Sequence, residues 1–425
     1  MITANRERMM PGNLSTDGFL LFSTRIVRLF AYGFLSVVLV LYLAEAGLSE
    51  VQIGLLLTLT LIGDTVISLW ITTHADRIGR RRMLAVGAGL MVFAGILFAL
   101  TQNFYLLLFA ATVGVISPSG NEVGPFLSIE QAGLTQLIPG ERRTQVFAWY
   151  NLVGSFATAL GALCGGGLAG LLSTANLTEL DSYRAVVIGY SALGIVLLVI
   201  FARLSDRVEA ELSNPADLRA SSAERGSFLG LSRSREVVLS LAALFSLDAF
   251  AGGFVIQSMV AYWFHRRFGV EPATLGGIFF GANILAGISA LSAAWLARRI
   301  GLIRTMVFTH IPSNILLILV PFMPSLPLAI TVLLLRFSIS QMDVPTRQSY
   351  TMAVVDPLER SAAAGITGTA RTVGASLAPV FTGPLLANTA LMGLPFIISG
   401  GLKIIYDVSL YQRFRAQKPP EERLA

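Results

Sequence analysis

Apolar residues run through this chain in long unbroken stretches, separated by short turns that are polar and often basic. A membrane-spanning helix needs about 20 mostly apolar residues. Reading the apolar runs between turn signals gives twelve such segments. In the first half they cover about 19–44, 52–73, 83–101, 104–138, 144–172 and 184–203 (spans 1 to 6). In the second they cover about 236–264, 273–297, 303–323, 327–355, 361–388 and 391–412 (spans 7 to 12). Residues 204–235 between them are rich in Ser, Arg, Asp and Glu and read as a cytoplasmic linker, either a surface amphipathic helix or a tether. Tails of 1–18 and 413–425 complete the division.

The two halves echo each other. Ala75-Asp76-Arg77-Ile78-Gly79-Arg80-Arg81-Arg82-Met83-Leu84 has a weakened copy, Ala297-Arg298-Arg299-Ile300-Gly301-Leu302-Ile303-Arg304-Thr305-Met306, 222 residues later (301 − 79). At nearly the same offset Ala31 and Phe34 fall on Ala251 and Phe254, Tyr42 on Tyr262, and Gly47 and Gly54 on Gly269 and Gly276. Glu141-Arg142 falls on Glu359-Arg360. Arg28 of span 1 falls on Asp248 of span 7, and Glu130-Gln131 of span 4 on Arg347-Gln348 of span 10. Matched small residues suggest the same packing needs in both halves, and opposite charges at matched places suggest a shared polar centre. Internal duplication of this kind is a common plan for secondary transporters.

Composition agrees. The chain is 54% hydrophobic and 13% charged, with a mean hydropathy of +0.70, whereas soluble domains carry roughly a quarter charged residues. The net charge of +6 is a topology signal and not a nucleic-acid signal. Arg6, Arg8, Arg77, Arg80 to Arg82, Arg142, Arg143, the linker arginines, Arg298, Arg299, Arg304 and Arg360 share one side of a twelve-span layout. Only Arg184, Arg266 and Arg267 fall on the other, so both termini are expected in the cytoplasm. The single Cys164, in an apolar glycine run, excludes a disulfide framework and reads as a packing residue. The first apolar run is too long for a cleaved signal peptide and is expected to stay as an anchor.

The Asp76-Arg77-x-Gly79-Arg80-Arg81 turn between two apolar spans resembles the loop of the major facilitator superfamily, and the likeness extends over essentially the whole chain. The resemblance implies an all-α membrane protein whose twelve transmembrane helices form two pseudo-symmetric six-helix bundles around a central cavity. It also implies alternating access by rocking, with Asp76, Arg77, Gly79 and Arg80 as a cytoplasmic gating loop. Asp76 is expected to meet the positive N-terminus of span 11 near Ser361. Gly154, Gly161, Gly165, Gly166 and Gly167 of span 5 resemble the family's antiporter motif without its proline; Gly374, Pro379, Gly383 and Pro384 put a similar pattern in span 11. Packing alone also accounts for such glycines. The family's intramembrane Arg of span 4 is replaced by Ala110, and Arg336 of span 10 is its nearest equivalent.

Charges inside the spans are the candidate machinery, since each costs about 2.5–3.5 kcal/mol at the bilayer centre on insertion scales. They are Arg28, Asp64, Glu122, Glu130, Asp248, Arg336, Asp343, Arg347, Arg371 and Lys403. Span 4 has about 34 residues, near 50 Å as a helix, and its centre, Ser117-Pro118-Ser119-Gly120-Asn121-Glu122-Val123-Gly124-Pro125, should break. Broken backbone at membrane depth belongs beside a cavity or packed protein, so Asn121 and Glu122 are placed on the substrate path, with a re-entrant turn as the alternative. Asp343 with Arg347, and Lys403 with Asp407, are four apart and are expected to pair along one helix face. Arg28 and Asp248 are expected to form an ion pair between the halves. Asp248, Asp64 or Glu122 is the proton carrier, and Arg336 or Arg371 would attract an anionic solute.

The leading expectation is proton-coupled efflux of a small organic solute. Uptake or facilitated passage of a polar, anionic solute is the alternative, and a non-transporting sensor is the remote one. His74, His265 and His310 are scattered, and no metal-ligand, nucleophile–base or phosphate-loop spacing appears, so neither enzyme activity nor a cofactor is expected. The partners expected are the solute, a proton and the lipid bilayer, with no nucleic acid and a monomer as the working unit. The location expected is a bacterial inner (cell) membrane.

Overall fold

The computed structural model describes residues 15–122, 124–138, 143–209, 231, 233–356 and 359–417. Arg6, Arg8, Glu141, Arg142 and most of the linker lie outside the described residues. The first half contains α1 (Thr16–Ser36), α2 (Leu39–Glu45), α3 (Glu50–Ile78), α4 (Arg80–Leu100), α5 (Phe104–Val113), α6 (Phe126–Leu137), α7 (Arg143–Thr174) and α8 (Glu179–Ala202). The second contains α9 (Arg235–Gly253), α10 (Gln257–Phe268), α11 (Pro272–Ile300), α12 (Leu302–Leu319), α13 (Leu326–Ile339), α14 (Asp343–Val354), α15 (Arg360–Leu377), α16 (Pro379–Ala387) and α17 (Leu394–Phe414). Among the described residues, ten segments are long and apolar enough to cross a membrane. Spans 4 and 11 are made in pieces, α5 with α6 and α15 with α16.

Local chemistry sets these boundaries. Ser49 and Gln52 form a reciprocal capping box that starts α3. Gly79 ends α3 and begins α4 at φ +114°, and Gly301 does the same between α11 and α12 at φ +87°, a backbone region that side chains disfavour. The duplicated basic turn is therefore also a duplicated backbone device. Asn103 caps α5 through the amides of Tyr105 and Leu106. Span 4 breaks at Gly114–Pro125, as its prolines and glycines require. Spans 1, 7 and 10 are interrupted too, near Val37, Phe254 and Ser340; their apolar runs carried no signal for this. Cys164 is exposed and so is not the packing residue its neighbours suggested.

The halves meet on the face opposite the basic turns. There α3 crosses α16, and α7 crosses α11, each at glycine. A Cβ on Gly54 would lie 3.1 Å from the Gly383 Cα, and one on Gly276 would lie 3.2 Å from the Gly166 Cα. These contacts are pseudo-symmetric mates, span 2 on span 11 and span 8 on span 5. Small residues let such backbones touch. Gly161 and Gly165 meet the backbones of Phe30 and Phe34, and Gly374 that of Ser246, so five glycines of the antiporter-like patterns are engaged in close packing.

Gly54→Val or Gly276→Val should force the crossings apart and weaken closure of that face, at a cost of about 1–3 kcal/mol. In a Cys164→Ala background, a cysteine replacing the buried Ser36 should then react several-fold faster with an impermeant thiol reagent added from that face. Gly89→Val, where a Cβ meets open space, should leave the rate unchanged.

Candidate functional site

The polar centre of the first half is built by α1, the span 4 break, α6 and α7. Arg28 is fully buried, and its guanidinium lies on the equally buried Glu130 with Nη1 and Nη2 donating at 2.6 and 2.8 Å. Its Nε donates to Glu122 at 2.9 Å. Glu130 also accepts from Thr24 Oγ1 at 2.7 Å and from the Tyr150 hydroxyl. Arg25 donates to Glu122 and, at 3.3 Å, to Asn151, and it lies over the Tyr150 ring at 4.7 Å. Two guanidinium groups thus balance two carboxylates. Fork geometry suits the arrangement, and the many partners offset the desolvation that burial imposes.

The second half has its own centre. Asp248 on α9 accepts from Lys403 Nζ at 2.5 Å and from Arg347 Nη1 at 3.1 Å. Arg347 also reaches Asp343 at 3.1 Å, as their spacing suggested. Asp407 contacts His310 Nδ1 at 2.9 Å and accepts from Asn314 Nδ2 at 3.0 Å. The other His310 nitrogen lies 4.0 Å from Asp248.

Three expected pairings are corrected. Arg28 and Asp248 do not bridge the halves, because each finds opposite charge on neighbouring helices of its own half. Lys403 and Asp407 do not pair: the lysine turns to α9 and the aspartate to α12. Asp76, largely exposed, pairs with Arg80 at 2.7 Å instead of capping span 11. Arg80 continues to Gln136 at 2.9 Å and to the Val208 carbonyl, while the Glu209 carboxylate accepts from the amides of Arg80 and Arg81. The turn expected to gate is thus anchored within its own half and the start of the linker; Arg77 is exposed.

Three candidate ions stand without an opposite charge. Asp64 on α3 is 7% exposed and has no cation within 4 Å among the described residues. It accepts from Ser68 Oγ at 3.4 Å and from the Gly124 amide of the span 4 break. Arg336 and Arg371 have no carboxylate within 4 Å among the described residues, and the buried Arg336 Nε has no hydrogen-bond partner. Asn121 is exposed at the break, with its carbonyl accepting from Ser117 Oγ at 2.7 Å.

Sequence reading missed the seam between the halves. Gln257, at the interruption of span 7, donates to Ser36 Oγ at 2.7 Å and accepts from Asn283 at 3.2 Å. The Ser258 amide donates to the Pro118 carbonyl at 3.1 Å. Further out, Glu50 accepts from Tyr262 at 2.8 Å and from Arg266 at 2.9 Å, beside a pocket of about 240 Å³ that includes Glu45, Tyr183 and His265. All these links lie on the face opposite the basic turns. A polar residue between Gly253 and the apolar run of α10 was the available signal for Gln257. His310 and Asn314, four apart in an apolar span, were the signal for the second centre.

The model for the Major Facilitator Superfamily matches residues 21–422. An uncharacterized membrane protein of Saccharomyces cerevisiae is 34% identical over 420 residues, 93% of each chain. The fold is similar to a bacterial homolog of the human lysosomal transporter Spinster in an inward-facing, unoccupied conformation (TM-score 0.72, 16% identity, 94% of this chain and 96% of that one). It is equally similar to a D-xylose–proton symporter (TM-score 0.72, 14% identity, 93% and 97%).

Glu130→Gln should leave Arg25 and Arg28 to share the single charge of Glu122 and destabilise the protein by about 3–5 kcal/mol, read as a large fall in melting temperature. Arg28→Met with Glu130→Gln should recover most of the loss, since Arg25 still balances Glu122. Glu50→Gln should leave the melting temperature nearly unchanged and raise labelling of the seam from the outer face.

Proposed function

Because the chain belongs to the Major Facilitator Superfamily and is an integral membrane protein, we propose that it is a secondary transporter coupling a small organic solute to a proton by alternating access. The observation that carries proton coupling is Asp64. A carboxylate at this depth, without a cation, is costly when ionised. Protonation removes that cost, and the Gly124 amide ties the residue to the break that also holds Glu122. Glu122 and Asp248 each touch two cations, so their charge is already matched where they stand.

Alternating access is supported by the location of the links between the halves. Links between the halves on one face, with the first basic turn held within its own half, support a transporter that opens toward the basic side. The excess of arginine on that side supports cytoplasmic termini. Both halves needed for a central cavity are present in one chain, which supports a monomer as the working unit.

Uptake is the direction we favour over export. Of the span 5 glycines that suggested an antiporter, Gly154, Gly161, Gly165 and Gly166 are engaged in packing, and positive charge is left over in the second half, which suits a polar solute carried with a proton.

In proteoliposomes containing a pH-sensitive dye, transported solutes should move protons with them into the lumen. Asp64→Asn should abolish the proton signal, and with it gradient-driven accumulation, while leaving solute exchange at equal pH intact. Unchanged proton movement in Asp64→Asn would remove Asp64 from the mechanism.

A further inference from the structure

The two halves differ in how well their buried charge is balanced. In the first, Arg25 and Arg28 are matched by Glu122 and Glu130 in direct contact. In the second, Arg336, Arg347, Arg371 and Lys403 face Asp248, Asp343 and Asp407. These carboxylates are already engaged: Asp248 by Lys403 and Arg347, Asp343 by Arg347, and Asp407 by His310 and Asn314. Arg336 on α13 and Arg371 on α15 both lie within electrostatic reach of Asp248 and Asp343, yet neither makes a carboxylate contact among the described residues. The Arg336 Nε is buried with no acceptor. A guanidinium withdrawn from water without a counter-ion is costly, and the Phe337 ring, 4.8 Å from the Arg336 guanidinium carbon, offsets only part of that cost through a cation–π contact.

We propose that Arg336 and Arg371 form an anion-binding subsite that docks the carboxylate, sulfonate or phosphate of the transported solute. The planar forks suit such groups, and a single negative charge would complete the balance of this half. The approach is wet. Where other exposed helix faces show Leu, Ile and Phe, the half of α15 nearer the basic face exposes Ala364, Gly365, Gly368 and Thr369. That surface suits a hydrated cleft better than acyl chains, so a free solute is the occupant and not a lipid headgroup. The subsite rests on the transporter reading for its purpose, but binding can be measured without transport.

The test uses purified full-length protein in phosphatidylcholine nanodiscs. Its melting temperature is measured with benzoate, succinate, benzenesulfonate and phenyl phosphate, and with neutral benzamide, at constant ionic strength. At least one anion should raise the melting temperature and benzamide should not, since a ligand bound only by the folded state stabilises it. Arg336→Gln and Arg371→Gln should each weaken the apparent affinity about tenfold, equivalent to about 1.4 kcal/mol. Arg336→Lys and Arg371→Lys keep the charge without the fork, and should weaken it less; they serve if the glutamine variants do not fold. The subsite is overturned if no anion stabilises the protein, or if stabilisation persists unchanged in these variants. It is also overturned if only phosphatidylglycerol nanodiscs stabilise the wild type and the arginine variants lose that effect, because the anion is then a lipid. Binding that survives in Asp64→Asn separates this result from any failure of proton coupling.

Discussion

In each half, a buried charge on the first span is neutralised by a side chain of the fourth, and the sign is reversed between halves. Arg28 meets Glu130 in one, and Asp248 meets Arg347 in the other. The four residues occupy matched positions of the duplicated sequence. A buried ion cannot wait for a partner that leaves during a conformational cycle, because breaking such a pair costs several kcal/mol. Neutralising each charge inside its own half removes that obstacle. Each bundle then carries its electrostatics with it as a rigid body.

What holds the bundles to each other is of a different kind. Besides the buried apolar cluster that runs across it, the seam among the described residues consists of neutral hydrogen bonds around Gln257, glycine-mediated backbone contacts, and one partly exposed carboxylate–guanidinium pair at Glu50 and Arg266. Links of this type are individually worth about a kcal/mol or less. They can be exchanged for water when a cavity opens. Strong interactions lie within halves and weak ones between them, which is the distribution a rocking transporter requires.

The sequence was most readable where physics acts along the chain. Apolar run length located the spans, the Pro and Gly content of 117–125 predicted the break in span 4, and helical spacing paired Asp343 with Arg347. It was least readable where the outcome depended on which helix lies next door. Periodicity placed Lys403 and Asp407 on one face, but the neighbours α9 and α12 offered each a closer partner. Pseudo-symmetry matched Arg28 with Asp248 as equivalent positions, yet equivalence in a duplicated fold does not bring two residues together. Asp64, Arg336 and Arg371 were found from burial cost alone, and their isolation became visible only once the other candidate charges had partners among the described residues.

The paired crossings of Gly54 on Gly383 and Gly166 on Gly276 have a mechanical consequence. Two near-symmetric points of backbone contact define a line, and a body resting on two points turns about that line as about an axle. Displacement then grows with distance from it. Residues at the basic turns would sweep the widest arc, while the central charges, nearer the pivot, would shift least. A molecule built this way can open one mouth by a wide angle and still keep its innermost groups close to register.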